Sequence, residues 1–185
     1  MTTSTPHDHG FRVDTALRDG TPVTIRVMRP DDRDLIVAAF AELEQGTIYT
    51  RFFSYLKEIP SRALDRIAEI DFEHLAGLVA TIGSGDGEIV IGGATYVGAV
   101  AADGTRFAEV AFTIEEDYQG QGLAGRLFGA LATIARRHGI ARFTADVLAG
   151  NAAMLAVFKR SGLPMRRARE GGVLHVEIDL GAPEA

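Results

Sequence analysis

The chain contains no cysteine. A disulfide framework, a thiolate zinc site and a cysteine nucleophile are therefore all excluded. Paired histidines are missing too: His7, His9, His74, His138 and His175 are scattered, and no two stand at helical metal-ligand spacing. No designed metal site is expected. No apolar run approaches the roughly 20 residues of a membrane span, and MTTSTPHDHG lacks the charged-then-apolar order of a signal peptide. Basic excess is absent as well. Nineteen Lys and Arg stand against 25 Asp and Glu, a formal net charge of -6. Nucleic acid and anionic membrane, which need a basic footprint, are poor partners for such a chain. The default compartment is the cytoplasm.

What is present is ordinary globular composition, 46% apolar and 24% charged over 185 residues, enough for one domain with a sizeable core. Residues 1–20 read as a disordered or extended N-terminal tail, 21–181 as one domain, and 182–185 as a short tail. Val23, Ile25 and Val27 alternate as in a strand. Pro30-Asp31-Asp32 opens a helix, with acids at its positive end. The aromatic stretch Tyr49–Leu56 and a short helix from Ser61 follow. Strands are expected over 74–82, 88–100 (interrupted at Gly92-Gly93) and 106–114. A helix over 120–138 carries the stripe Leu123, Leu127, Leu131 and Ile134. A strand over 141–148, a helix from Asn151 to Ser161 and a hairpin turning at Gly171-Gly172 complete the chain. The order implies an α/β fold, a mixed sheet with helices on both faces.

The densest chemical signal is Gln119-Gly120-Gln121-Gly122-Leu123-Ala124-Gly125, between a strand and a helix. Glycines there let several N–H groups converge at a helix start, which suits phosphate. Gly120, Gly122 and Gly125 also spell the dinucleotide pattern G-x-G-x-x-G, with Asp146 placed like a ribose-binding acid. That reading fails. Five residues, Glu115 to Gln119, separate the strand from the first glycine; the preceding strands look hairpin-linked; and too little chain follows.

Gln119, Gly122 and Ala124 instead fill the motif Gln/Arg-x-x-Gly-x-Gly/Ala of the GNAT (GCN5-related) N-acetyltransferases. The strand before the loop, Asn151 opening a helix, Phe158 within it and Gly162-Leu163 closing it resemble the same family over residues 22 to 180. Within the family, Arg-Pro-Asp-Asp and Tyr49–Phe53 look most like Pat-type protein lysine acetyltransferases. The resemblance implies the GNAT fold, with a mostly antiparallel mixed sheet, and acetyl-CoA as cosubstrate without a metal.

It further implies roles. The loop from Gln119 through Gly120, Gln121, Gly122, Leu123, Ala124 and Gly125 would hold the pyrophosphate. The backbone of Phe112, Thr113 and Ile114 would pair with the pantetheine arm and supply an oxyanion donor. Asn151 would touch that arm or cap its helix, beside Phe158. Glu109, mid-strand between Ala108 and Val110, would be the general base, raised toward its working range by burial. Many members have a tyrosine where Phe158 stands, so the acid step is open between thiolate departure, Tyr118 and water. Arg166, Arg167 and Arg169 form a basic cluster near the acceptor side, or a solvated face. Arg51, Phe52 and Phe53 either shape that side or anchor a loop.

The expected acceptor is a protein lysine, with an acyl-CoA synthetase as the family-level precedent. A small-molecule amine is the alternative, and a non-catalytic acyl-CoA sensor is the reading from another class.

Overall fold

The computed structural model describes residues 6–52 and 57–182. Eight strands form one sheet in the order β1-β2-β3-β4-β5-β6-β8-β7. They are β1 Arg12–Ala16, β2 Pro22–Val27, β3 Leu75–Ile82, β4 Ile89–Val100, β5 Arg106–Ile114, β6 Arg142–Leu148, β7 Met165–Glu170 and β8 Val173–Asp179. Every neighbouring pair is antiparallel except β5 and β6. Consecutive strands joined by hairpins must run antiparallel. The β5–β6 connection instead passes through a helix, which is what a parallel pair requires. That helix is α5, Leu123–Arg137, and α6, Ala152–Arg160, follows β6. Before β3 come α1 Pro6–His9, α2 Arg33–Glu42, α3 Gln45–Phe52 and α4 Ser61–Asp65.

The expected stripe of α5 is the centre of the core. Leu123, Leu127, Leu131 and Ile134 are all fully buried, against Tyr96, Phe143 and Phe158. Burying each such aliphatic side chain contributes about 1.5–3 kcal/mol. Helix α2 contacts β4, with α3 against β5, and α5 and α6 pack together over the sheet. Gly92-Gly93 does not interrupt β4. A register shift places Gly92 opposite Ala80 but Val90 opposite Thr81, so Ile91 is the extra residue of a bulge. A Cβ at Gly92 would approach Thr113 O and Ile114 Cδ1 to 3.0 Å, so glycine lets β4 and β5 lie close.

The tail expected through residue 20 is replaced by ordered structure from residue 6 onward; residues 1–5 lie outside the described ones. Strand β1 pairs with β2 from Arg12↔Arg26 to Ala16↔Pro22. Asp8 is 2% exposed and accepts hydrogen bonds from His138 Nε2 at 2.6 Å and Arg137 at 3.2 Å. Both donors stand at the end of α5, where the helix dipole favours the positive charge of Arg137. Apart from Leu17 in the core and Phe11 against it, polar pairing holds this segment, and two isolated apolar anchors give hydrophobic periodicity too little to find it.

Asp32 was read as a helix-opening acid, and it has a larger part. It is 2% exposed, and Arg26 binds it through two hydrogen bonds, of 2.8 and 2.7 Å. The Arg29 N–H adds a third at 2.7 Å, and Arg26 also reaches Glu88 at 3.0 Å. Burial opposes ionisation of Asp32, but the Arg26 and Arg29 hydrogen bonds outweigh it and hold its pKa below the usual range. The pair therefore stabilises the fold above the unfolded-state value of about 3.9, and that contribution is lost as pH falls through the folded one. Arg26→Met would leave Asp32 buried and unpaired, a loss of about 3–5 kcal/mol at neutral pH. Urea denaturation should record that loss, with the gap to wild type narrowing below about pH 4.

Candidate active site

The parallel pairing of β5 with β6 covers only Phe107↔Arg142, Ala108↔Phe143 and Glu109↔Thr144. Beyond Glu109 the two strands part. Between them opens a cleft of about 1060 Å³. One wall is the end of β5, Phe112, Thr113 and Ile114; the other is Leu148, Ala149, Gly150 and the start of α6. Helix α5 begins at one end of the cleft. Because β6 has left, the backbone of Val110–Ile114 has no strand partner on this side, as an added extended segment requires.

The glycine loop forms the mouth of this cleft. Gly120 and Gly122 have φ of +73° and +87°, left-handed values that glycine alone takes without strain. They postpone the helix, so α5 starts at Leu123 rather than at Gly120. Its first internal bond runs from Arg126 N–H to Gly122 O, leaving the N–H groups of Leu123, Ala124 and Gly125 ahead of it. This is the geometry that accepts phosphate oxygens. Gln119 fixes the loop to the strand: its Nε2 donates to Ile114 O at 3.0 Å and to Thr47 Oγ1 at 3.4 Å.

Ten of the expected cofactor-binding residues line the cleft: Phe112, Thr113, Ile114, Gln119, Gly120, Gly122, Leu123, Ala124, Gly125 and Asn151. Asn151 is also the cap of α6, its Oδ1 accepting from Met154 N–H at 3.1 Å. Two do not line it. Gln121 turns to the β1–β2 hairpin, its carbonyl accepting from Arg18 N–H and its Oε1 from Asp19 N–H, both at 3.3 Å. Phe158 is 1% exposed and packs against Phe112 and Phe128 below the cleft. Arg18 lines the cleft and donates from Nη1 to Gly120 O at 3.0 Å. Sequence reasoning missed it because it lay within the supposed tail.

Glu109 sits at the vertex where the strands separate, opposite Val97 and Thr144. The expected burial is not found there: its side chain is exposed. Alternation along β5 turns Glu109, Ala111 and Thr113 away from the α5 side. The more enclosed carboxylate is that of Glu115, just past the strand and half-buried. With Ala111 and Thr113 it lines an apolar cavity of about 150 Å³ under α2 and α4. Its Oε2 has no hydrogen-bond partner among the described residues. Burial, with the nearby Asp117, Glu116 and Glu42, pushes the Glu115 pKa up, despite one hydrogen bond from Asp117 N–H. Thr113 lines both cavities, so Glu115 is close to the β5 end of the cleft.

Beside Glu109 the sheet face stays open and mostly acidic. Thr144 faces Glu177, and Asp146 faces His175. His175 is held protonated to higher pH than usual, first by its hydrogen bond to Asp146 and then by Glu170. Arg166 pairs in register with Glu177 and so shares this face, while Arg167 points to the other. Tyr118 lines the cleft and packs partly against the core. Residues Tyr49–Phe52 complete α3, but their side chains and residues 53–56 lie outside the described residues, so the expectations for Arg51, Phe52 and Phe53 lie there too. Among the described residues no group of three or more His, Asp or Glu could hold a metal ion.

The family model for the acetyltransferase (GNAT) domain matches residues 23–164. The chain belongs to the GNAT acetyltransferase family. As a GNAT domain it is 34% identical over 166 residues to the acetyltransferase Pat of Mycolicibacterium smegmatis, covering 89% of this chain and 47% of that protein. The chain thus spans about half the length of that relative. The crystal structure of the GNAT domain of S. lividans PAT superposes with a TM-score of 0.80 at 33% identity, over 91% of this chain and 96% of that one. The structure of yncA from Salmonella typhimurium, solved with its cofactor acetyl-CoA, shares the fold: TM-score 0.67, 19% identity, 88% of this chain and 98% of that one. In this GNAT domain the unpaired β5 edge and the free helix-start N–H groups suit an extended, phosphate-bearing ligand.

Gly122→Ala tests the loop. Nothing blocks the added methyl, whose nearest neighbour would be Arg18 Nε at 3.8 Å. The cost is therefore the left-handed backbone, about 1–2 kcal/mol. Urea denaturation should show a loss of that size, and calorimetric titration should show acetyl-CoA binding weakened about tenfold or more as loop hydrogen bonds are lost.

Proposed function

We propose that this domain transfers the acetyl group of acetyl-CoA directly to the side-chain amine of a protein lysine. The observation that carries this reading is Glu109 at the vertex of the β5–β6 split, on an exposed sheet face. An open face admits a protein surface. Glu109 is the carboxylate of that face without an ion-pair partner among the described residues, Asp146 being paired with His175 and Glu177 with Arg142, and it favours a lysine-bearing acceptor. The likeness to Pat proteins supports the same acceptor class, and an acyl-CoA synthetase would be such an acceptor. A small amine would be better served by a closed pocket around Glu109.

Acetyl-CoA supplies an activated thioester when bound. The β5 edge at Phe112 to Ile114 orients it, and a backbone N–H there polarises its carbonyl. The acceptor ammonium, with a pKa of about 10.4, must lose a proton first. Glu109 takes that proton, through water, and the neutral amine then attacks. The C–N bond forms as the C–S bond breaks. Since Phe158 has no hydroxyl and is buried, the departing thiolate is protonated by water. The chain contains no cysteine, so no acyl-enzyme thioester intervenes. The domain acts in the cytoplasm, where acetyl-CoA and acyl-CoA synthetases meet.

One observation favours a second base. Glu115 is half-buried and has the raised pKa that a general base needs, whereas Glu109 has the position. Coenzyme A release should be measured with lysine-bearing protein acceptors and with small amines, for wild type, Glu109→Gln and Glu115→Gln. The expected result is turnover with protein acceptors and a loss of about 100-fold or more in Glu109→Gln. Such a loss confined to Glu115→Gln would move the base to Glu115. Turnover with small amines alone would overturn the protein acceptor. Tight acetyl-CoA binding with no turnover would favour a sensor.

A further inference from the structure

We infer that Arg18, supplied by the N-terminal hairpin from outside the glycine loop, is a phosphate ligand of coenzyme A. The inference rests on coenzyme A occupying the β5–β6 cleft. Arg18 lies in the turn between β1 and β2 and is held against the loop from several directions. Its N–H donates to Gln121 O at 3.3 Å, and its Nη1 to Gly120 O at 3.0 Å. Asp19 N–H donates to Gln121 Oε1 at 3.3 Å. One step back along the hairpin, Thr15 Oγ1 takes a hydrogen bond from Arg126 Nη1, on α5, at 2.5 Å. The hairpin is thus a brace on the loop and the first turn of α5.

The Arg18 guanidinium is more than a brace. It lines the cleft, is exposed, and has no acidic partner among the described residues. One of its five N–H donors is committed to Gly120 O, and the fork leaves the others available. In a chain of net charge -6, an unpaired cation at the cleft gives an anionic occupant a local site of opposite charge. Arg160, on the α6 wall, is the other arginine lining the cleft. Coenzyme A brings about four negative charges in its pyrophosphate and 3′-phosphate. Helix-start N–H groups provide only fractional positive charge, so a full cation beside them binds phosphate in a charge-assisted, oriented way.

The test is calorimetric titration of the full chain, wild type and Arg18→Gln, with coenzyme A and with 3′-dephospho-coenzyme A, at low and at physiological salt. Glutamine keeps a donor for Gly120 O and removes the charge. The expected result is a loss of about tenfold or more in coenzyme A affinity, with a shallower salt dependence than wild type. An equal loss for the dephospho form assigns Arg18 to the pyrophosphate; a loss confined to coenzyme A assigns it to the 3′-phosphate. Unchanged affinity for both overturns the inference. So does weakened binding with the wild-type salt dependence, which marks a distorted loop rather than a lost charge contact. Wild-type protein that binds neither ligand would overturn the cleft reading itself.

Discussion

Parallel strands that pair for three residues and then separate are the constraint on which the site depends. Glu109↔Thr144 is the last pair between β5 and β6. Past it, β6 goes on pairing with β8 and β5 with β4, so neither strand is lost from the sheet. One backbone edge of β5 is nonetheless left open inside the molecule. An unpaired edge is costly in a dry interior and useful beside a cleft, where an extended ligand arm can complete it. The aromatic cluster Phe112, Phe128 and Phe158 fills the space beneath. There a tyrosine-to-phenylalanine difference becomes packing rather than chemistry.

Charge is distributed to match. The protein is acidic overall, yet Arg18 and Arg160 stand at the cleft, while Asp146, Glu177 and Glu109 lie on the open sheet face. In the proposed reaction this would draw an anionic cosubstrate and a cationic acceptor to different places. The two meet at the vertex, where β5 alternation separates a cleft-facing backbone from a face bearing carboxylates.

Much of this was legible in the residues. The strand over 106–114 matches its observed bounds, and α5 buries the four residues of its expected stripe. The Gln119 motif marked the cleft because glycine and a helix start constrain the backbone locally, whatever surrounds them. Glu109 stood out as a mid-strand acid. Its exposure did not, because burial on a strand depends on what packs over that face, and α2 and α4 cover the Glu115 region instead. Residues 6 to 20 were hidden by their polarity. Asp8, Arg12 and Asp14 are tied by ion pairs and hydrogen bonds, which leave no periodic apolar trace.

The sequence by itself determined the family, the order of elements from β2 onward apart from α3, the glycine loop at the helix start and the absence of thiol chemistry. Each depends on short-range backbone preferences, on periodicity or on composition. Tertiary structure alone decided that β5 and β6 part after Glu109, that Glu115 is more enclosed than Glu109, and that Arg18 reaches a loop more than 100 residues away. Such facts arise from contacts between segments distant in the chain. Neither local propensity nor spacing encodes which surfaces those segments will bring together.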